Sequence, residues 1–340
     1  MTVTQSFQIV LVLGGGNALG SYQAGVYQAL HEAGHEPAWV VGASAGAING
    51  ALIAGNAPED RVARLTEFWQ PAITGGPMSW WPSPAETLRR TGAVMLTIGA
   101  GRPGVFGPIG PLGSWWDPDA AAAVPALFDS KPLAATLARM ADFARLNAGA
   151  PRYTATAVDL ETGEDVVFDA ASMAITPDHV RASAALMPTF PPVEIAGRAY
   201  VDGGLSANLP LDPVLGDPPQ GPVLCIAVDL LPRVERRPRS LGEAIGRTQD
   251  LMFAAQTRRT IERWRMAYAL DNRLRSASVT LACLFYADQE VEVAGKAMDF
   301  SPESVRHRWQ AGRRDAAALL ARLAAGEIAT GGEGLTVTGV

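Results

Sequence analysis

Histidine and cysteine are scarce: the 340-residue chain has 4 His and 2 Cys. Two cysteines make no disulfide framework, and together with four scattered histidines they offer no ready zinc site. Cys225 and Cys283 both sit in apolar runs that read as buried strands, where a thiol serves as a small hydrophobe. Any hydrolytic chemistry is therefore expected to need neither metal nor organic cofactor, and little histidine. Basic residues are missing early on: the first Lys or Arg is Arg61, so the opening does not read as a secretory signal. Long apolar runs are missing too. The stretch 40–55 is 16 residues long and is interrupted by Gly42, Gly46, Asn49 and Gly50, which is short for a membrane span. A cytoplasmic protein is expected, with peripheral membrane contact left open. A net charge of −6 and a pI near 5.3 weigh against nucleic acid as a partner. The 48% apolar content, with 18% charged residues, excludes a mainly disordered chain and supplies a large core.

The run from Phe7 to Leu13 is apolar and stops at three glycines, as a buried parallel strand would. Tyr22, Val26, Ala29, Leu30 and Ala33 recur at helical spacing, and Gly34 supplies a stop. Trp39-Val40-Val41 reads as a second strand and Ala45 to Ala54 as a second helix, an alternation that predicts an α/β fold with a parallel sheet. Later strands are expected at Tyr153–Val158, at Asp165–Phe168, in a hairpin from Val193 to Val201, and around Cys225 and Cys283. Between them, 71–118 is rich in Pro and Gly yet holds Trp80, Trp81, Trp115 and Trp116, half of the 8 tryptophans. Disordered linkers are aromatic-poor, so this reads as a long ordered loop or cap bordering an apolar pocket, or as a loop packed on the surface without function. Between Arg233 and Arg275 lie 11 Arg and 5 acidic residues, on apolar spacing that suggests helix. Such a section suits a solvated helix face or an anionic surface.

Gly42-Ala43-Ser44-Ala45-Gly46 matches G-x-S-x-G directly between a strand and a helix. A serine on that sharp turn is held exposed beside a helix N-terminus, which marks Ser44 as a nucleophile. Gly14-Gly15-Gly16-Asn17-Ala18-Leu19-Gly20 follows the first strand. A dinucleotide turn would want an acidic residue at the end of the next strand, which runs into Ser44 instead. The N–H groups of consecutive glycines suit an oxyanion hole for acyl transfer. The base is less obvious. Ser44, Asp202 and His307 have the order of an α/β-hydrolase triad, but the serine comes after only two strands and His307 reads as helix interior. His31, His35 and His179 have no motif around them. Asp202-Gly203-Gly204 places a carboxylate on a tight turn after a strand, where it is a candidate base or a plain turn aspartate.

These pieces together resemble the patatin-like phospholipase family: Gly14-Gly15-Gly16 with Gly20, Gly42 to Gly46, and Asp202-Gly203-Gly204, supported by Phe190-Pro191-Pro192 and Asn208-Leu209-Pro210. Asp299-Phe300-Ser301 and Arg308-Trp309-Gln310-Ala311-Gly312-Arg313 are similar to the C-terminal extension of a bacterial branch of that family. The resemblance implies a three-layer α/β/α sandwich with a mostly parallel central sheet. It implies a catalytic domain over 7–217, with a cap or insertion at 71–150, and an extension over 218–340 packed on the same domain. It also implies a Ser44–Asp202 dyad without histidine, and an oxyanion hole from Gly14, Gly15, Gly16 and Ala45. The family's first loop is G-x-G-x-x-G with Arg or Lys before the last Gly. Here Asn17 stands at the second Gly and Leu19 at the basic residue. Asn tolerates the left-handed backbone, so the turn is expected to survive, while a contact to an anionic head group is lost. The expected activity is hydrolysis of esters of lipid-like acyl chains. The alternatives are a thioesterase, an intracellular polyester (polyhydroxyalkanoate) depolymerase, or a non-catalytic lipid-binding module.

Overall fold

The computed structural model describes residues 7–70, 86–109 and 126–339. The chain opens as a β-α-β-α unit: β1 (Gln8–Leu13), α1 (Ser21–Glu32), β2 (Trp39–Gly42) and α2 (Ala45–Ala54). Helices α3 (Pro58–Trp69) and α4 (Glu86–Ala100) follow. The short strands β3 (Gly107–Pro108) and β4 (Phe128–Asp129) pair into a ribbon that leads into α5 (Lys131–Met140) and α6 (Phe143–Asn147). Next come β5 (Arg152–Asp159), β6 (Asp165–Asp169), α7 (Pro177–Ser183) and a hairpin of β7 (Val193–Ile195) and β8 (Arg198–Asp202). Ala196 and Gly197 both have positive φ, 51° and 79°, the geometry of a tight hairpin turn. The rest is α8 (Gly204–Ala207), α9 (Asp212–Gly216), β9 (Pro222–Asp229), α10 (Leu241–Leu270), α11 (Asn272–Arg275), β10 (Ser278–Phe285), α12 (Pro302–Ala324) and β11 (Gly334–Gly339).

Nine strands form the main sheet in the order β11-β10-β9-β1-β2-β5-β8-β7, with β6 also on β5. The pairs from β11 to β5 are parallel, and β5 pairs antiparallel with β6 and β8. Successive side chains point to opposite faces, and both faces are buried. Ile9, Leu11, Leu13, Leu224, Ile226 and Val228 join the core under α1, α2, α5 and α12. Val10, Val12, Val223, Cys225 and Ala227 join a second core with Leu215, Tyr268 and Leu274 of α9, α10 and α11. The result is a three-layer α/β/α sandwich.

Strand β5 has an unusual edge. Ala157 pairs with both Val166 and Asp202, so β6 and β8 lie on opposite sides of it. Ala155 pairs with both Phe168 and Gly42, which puts β2 opposite β6 and therefore on the same side as β8. Strand β2 stops at Gly42, and β8 takes over the vacated edge from the other direction. The two strand ends that carry Ser44 and Asp202 thus meet two residues apart along one neighbour.

The expected loop over 71–118 is partly helix. Its Gly92, Gly99 and flanking prolines dilute the helical pattern, and glycine costs about 1 kcal/mol in a helix interior. Tertiary contacts hold α4 instead: Arg90 reaches Glu292 at 3.4 Å, and Val94 packs at Gly295. Trp80, Trp81, Trp115 and Trp116 lie outside the described residues.

Helix α12 crosses α1 at a contact that only glycine permits, since a Cβ on Gly25 would stand 1.9 Å from the Trp309 carbonyl and one on Gly312 2.0 Å from that of Tyr22. Beside the crossing, Arg308 grips Glu292 with Nε and Nη2 at 2.8 and 2.7 Å, and its Nη1 donates to Ala18 O at 3.2 Å in the glycine turn. Both partners are buried, so losing Arg308 removes both short contacts of the Glu292 carboxylate with a guanidinium and leaves it only the longer one to Arg90 at 3.4 Å. Arg308→Ala is expected to lower unfolding free energy by about 3–5 kcal/mol in urea melts; a loss below about 1 kcal/mol would contradict this brace.

Candidate active site

Ser44 lies between β2 and α2 with φ 56° and ψ −122°, a conformation that costs a non-glycine residue on the order of 1–3 kcal/mol. Tight packing imposes it. A Cβ on Gly42 would stand 2.4 Å from the Gly46 carbonyl carbon, and one on Gly46 2.0 Å from Leu13 O. The turn therefore folds onto its own strand and onto the end of β1. The Ser44 N–H donates to Ser183 O at 3.0 Å, and the Ser44 hydroxyl caps none of the N–H groups of α2. The hydroxyl is thus not consumed as a helix cap at this N-terminus.

A chain of buried amides shapes the glycine loop. Trp69 Nε1 donates to Asn49 Oδ1 at 2.8 Å. Asn49 Nδ2 donates to Gly20 O at 2.9 Å and to Gln23 Oε1 at 2.8 Å, and Gln23 Nε2 donates to Gly14 O at 2.7 Å. Asn17 has φ 50°, the left-handed conformation expected where glycine is replaced. Two of the four expected oxyanion donors are spoken for. The Gly14 N–H donates to Val228 O at 3.1 Å and the Gly15 N–H to Asn208 O at 3.0 Å, so these two glycines anchor the loop to its neighbours. The N–H groups of Gly16 and Ala45 have no hydrogen-bond partner among the described residues, and both residues line the cavity that holds Ser44.

Asp202 ends β8, with its N–H donating to Ala185 O at 3.1 Å. The Gly204 N–H donates to its Oδ1 at 2.7 Å, while Oδ2 is buried without a hydrogen bond of ordinary geometry among the described residues. Burial pushes the carboxyl up to about 7, against the Ser44 hydroxyl and the Gly204 N–H, which favour its ionised form. Asn208 joins the turns: its Nδ2 donates to Gly15 O at 3.2 Å, and its N–H donates to Gln256 Oε1 of α10 at 3.0 Å.

Ser44, Asp202, Gly16 and Ala45 line one cavity of about 250 Å³. Its walls are largely apolar, with Leu19, Ile48, Phe106, Leu133, Phe190 and Phe253 among them. Residues with no sequence signal also reach it: Arg102, Ser130, and Asp250 and Lys296 from the C-terminal part. Among the described residues, no histidine lines it. His179 closes a capping box with Thr176 at the start of α7, and His307 stands 3.1 Å from Asp288. Among the described residues, no three His, Cys, Asp or Glu side chains group as a metal would require, and no helix is long and apolar enough to cross a membrane.

The patatin-like phospholipase pattern matches residues 11–215, and a second pattern, described as patatin phospholipase, matches 237–326. The chain belongs to the patatin-like phospholipase family. An uncharacterized NTE family protein of Mycobacterium tuberculosis is 29% identical over 215 residues, which is 63% of this chain and 47% of that protein. One from Mycobacterium bovis matches to the same extent, so the chain spans about half the length of these curated relatives. Among solved structures, VipD from Legionella pneumophila matches at 16% identity with a TM-score of 0.47, covering 94% of this chain and 67% of its own. ExoU, in the ExoU-SpcU complex of Pseudomonas aeruginosa, matches at 18% identity with a TM-score of 0.38, covering 96% and 52%.

The Asp202 carboxyl ordinarily titrates near 3.8 and is raised to about 7 in the folded chain. Between those values the unfolded chain has ionised and the native one has not, so this group's contribution to stability falls as pH rises from about 4 to 7, then levels off. Asp202→Asn removes that penalty. The variant is expected to be more stable than wild type at about pH 8, by on the order of 4 kcal/mol, with the gap closing toward pH 4. Urea melts at the two pH values check this; equal stability at the higher pH would contradict it.

Proposed function

We propose that the protein is a serine esterase that cleaves carboxylic esters of lipid-like acyl chains through a Ser44–Asp202 dyad. One observation carries the reading: a serine that caps no helix N–H on a strained strand-to-helix turn and a buried carboxyl raised to about 7 line the same apolar cavity. A carboxylate with that affinity for protons accepts one from a hydroxyl far better than an ordinary aspartate.

In this mechanism Asp202 takes the hydroxyl proton as Ser44 Oγ attacks the ester carbonyl carbon. The carbonyl oxygen becomes an oxyanion and accepts hydrogen bonds from the Gly16 and Ala45 N–H groups, beside the positive end of α2. Collapse expels the alcohol, which takes the proton from Asp202. Water then attacks the acyl-enzyme with Asp202 as base, releasing the fatty acid and restoring Ser44. The apolar walls suit an acyl chain. Gly42, Gly46, Gly203 and Gly204 act as backbone parts of the two turns. Family membership supports the lipid class.

A panel of p-nitrophenyl esters, glycerolipids, acyl-CoAs and polyhydroxyalkanoate tests this reading. Hydrolysis of acyl esters is expected, with kcat/KM falling by at least about a thousandfold in Ser44→Ala and in Asp202→Asn. Turnover confined to acyl-CoA or polyester would move the substrate class. Normal turnover in either variant would overturn the dyad.

A further inference from the structure

Among the described residues, four charged ones line the Ser44 cavity: Asp202, Asp250, Lys296 and Arg102. Lys296 is neutralised, with its Nζ 2.7 Å from Asp250 Oδ2 and 3.0 Å from Gln289 Oε1. Arg102 differs. Its side chain lies among the rings of Phe68, Phe300 and Trp69, with Cζ 4.5, 4.6 and 5.2 Å from their centroids. Its Nη2 donates to Phe68 O, and no carboxylate pairs with it among the described residues. Only 9% of the residue is exposed. Burial lowers the guanidinium to about 9, which leaves it charged at neutral pH. Aromatic faces offset part of the desolvation, but a guanidinium has five N–H donors, and a buried cation without a counter-charge is costly.

A second polar group in the same wall is unpartnered. Ser130 stands at the N-cap of α5, yet its hydroxyl caps none of the helix N–H groups. It is buried, has no hydrogen-bond partner among the described residues, and lines the cavity. The backbone explains why the two occur together. Arg102 bridges Phe106, and the next residue, Gly107, pairs with Asp129, so one small ribbon presents both Arg102 and Ser130. The glycine loop, meanwhile, offers no cation: Leu19 occupies the place of the family's basic residue and is fully buried in the cavity wall.

We propose that Arg102 and Ser130 form an anion-recognition subsite in the wall of the Ser44 cavity, which takes a phosphate or carboxylate group carried by the ester substrate. The inference rests on the esterase reading, with Ser44 acting on the same bound molecule. The guanidinium fork donates to the anionic oxygens and the Ser130 hydroxyl adds a further donor. The π-stack on Phe68, Trp69 and Phe300 holds the fork without consuming its charge. The specificity-determining cation is thus supplied by the β3–β4 region rather than by the glycine loop.

The test compares kcat/KM for three esters of one acyl chain: dodecanoyl glycerol, dodecanoyl glycerol phosphate and dodecanoyl glycerate. Wild type is expected to favour one of the anionic esters over the neutral one, and the two anionic arms tell phosphate from carboxylate. Arg102→Gln is expected to lower the anionic-to-neutral ratio by about tenfold to a hundredfold, with Arg102→Lys between it and wild type. Ser130→Asp, which adds a competing carboxylate to the same wall, is expected to lower the ratio as well and serves if Arg102→Gln does not fold. A ratio within about twofold of wild type in these variants would overturn the subsite, as would a wild type with no anionic preference. Calorimetric binding of dodecanoyl glycerol phosphate against dodecanoyl glycerol to Ser44→Ala protein gives the same comparison without turnover. Failure of the esterase reading and failure of the subsite are therefore seen separately.

Discussion

Along one edge of β5, the hydrogen bonds pass from β2 at Ala155 to β8 at Ala157, and the meeting of Ser44 with Asp202 follows from that handover. A strand that ran on past Gly42 would keep β8 from this edge. The chain stops there because Gly42 and Gly46 let α2 fold back against the ends of β1 and β2, at contacts no Cβ would tolerate. The strain in the Ser44 backbone is a consequence of the same packing. Antiparallel pairing in an otherwise parallel region is thus the means by which residues 158 positions apart in sequence reach one cavity. The tertiary fold does what a local motif alone does not.

Electrostatics complete what the backbone begins. Asp202 is buried with one oxygen held by the Gly204 N–H and the other without a hydrogen bond of ordinary geometry among the described residues, and burial raises its affinity for a proton. Such an arrangement reduces stability in return for basicity, as is common at catalytic sites. The C-terminal part supports it from two directions. Gln256 holds Asn208, which ties the aspartate turn to Gly15. Arg308 holds Glu292 and the carbonyl of Ala18, so the glycine turn is braced by a buried ion pair from α12. Residues of the C-terminal part also wall the cavity, Phe253 and Met298 among them.

Much of the architecture is legible locally. Continuous burial along β1 and β9, the Gly34 stop after α1 and the Ala196-Gly197 turn all follow from neighbouring residues. Ser44 is legible for the same reason, because its glycines lie two positions either side. Asp202 on its own reads as a turn residue; only its company with the other motifs singles it out. The roles of Gly14 and Gly15 were not legible, since their partners, Val228 and Asn208, lie about 200 positions away. Arg102 and Ser130 carry no motif at all. What distinguishes them is the lack of a counter-charge and of a hydrogen-bond partner, which only three-dimensional packing creates.

The proposed activation of Ser44 by Asp202 has a kinetic signature. Its most direct measurement is the rate of covalent capture of Ser44 by a fluorophosphonate as a function of pH, with the adduct located by peptide mass spectrometry. An adduct on Ser44 alone is expected, formed at a rate that rises through a single ionisation at about 7 as Asp202 loses its proton. Asp202→Asn should lack that ionisation. An adduct on another residue, or an unchanged pH profile in Asp202→Asn, would contradict it.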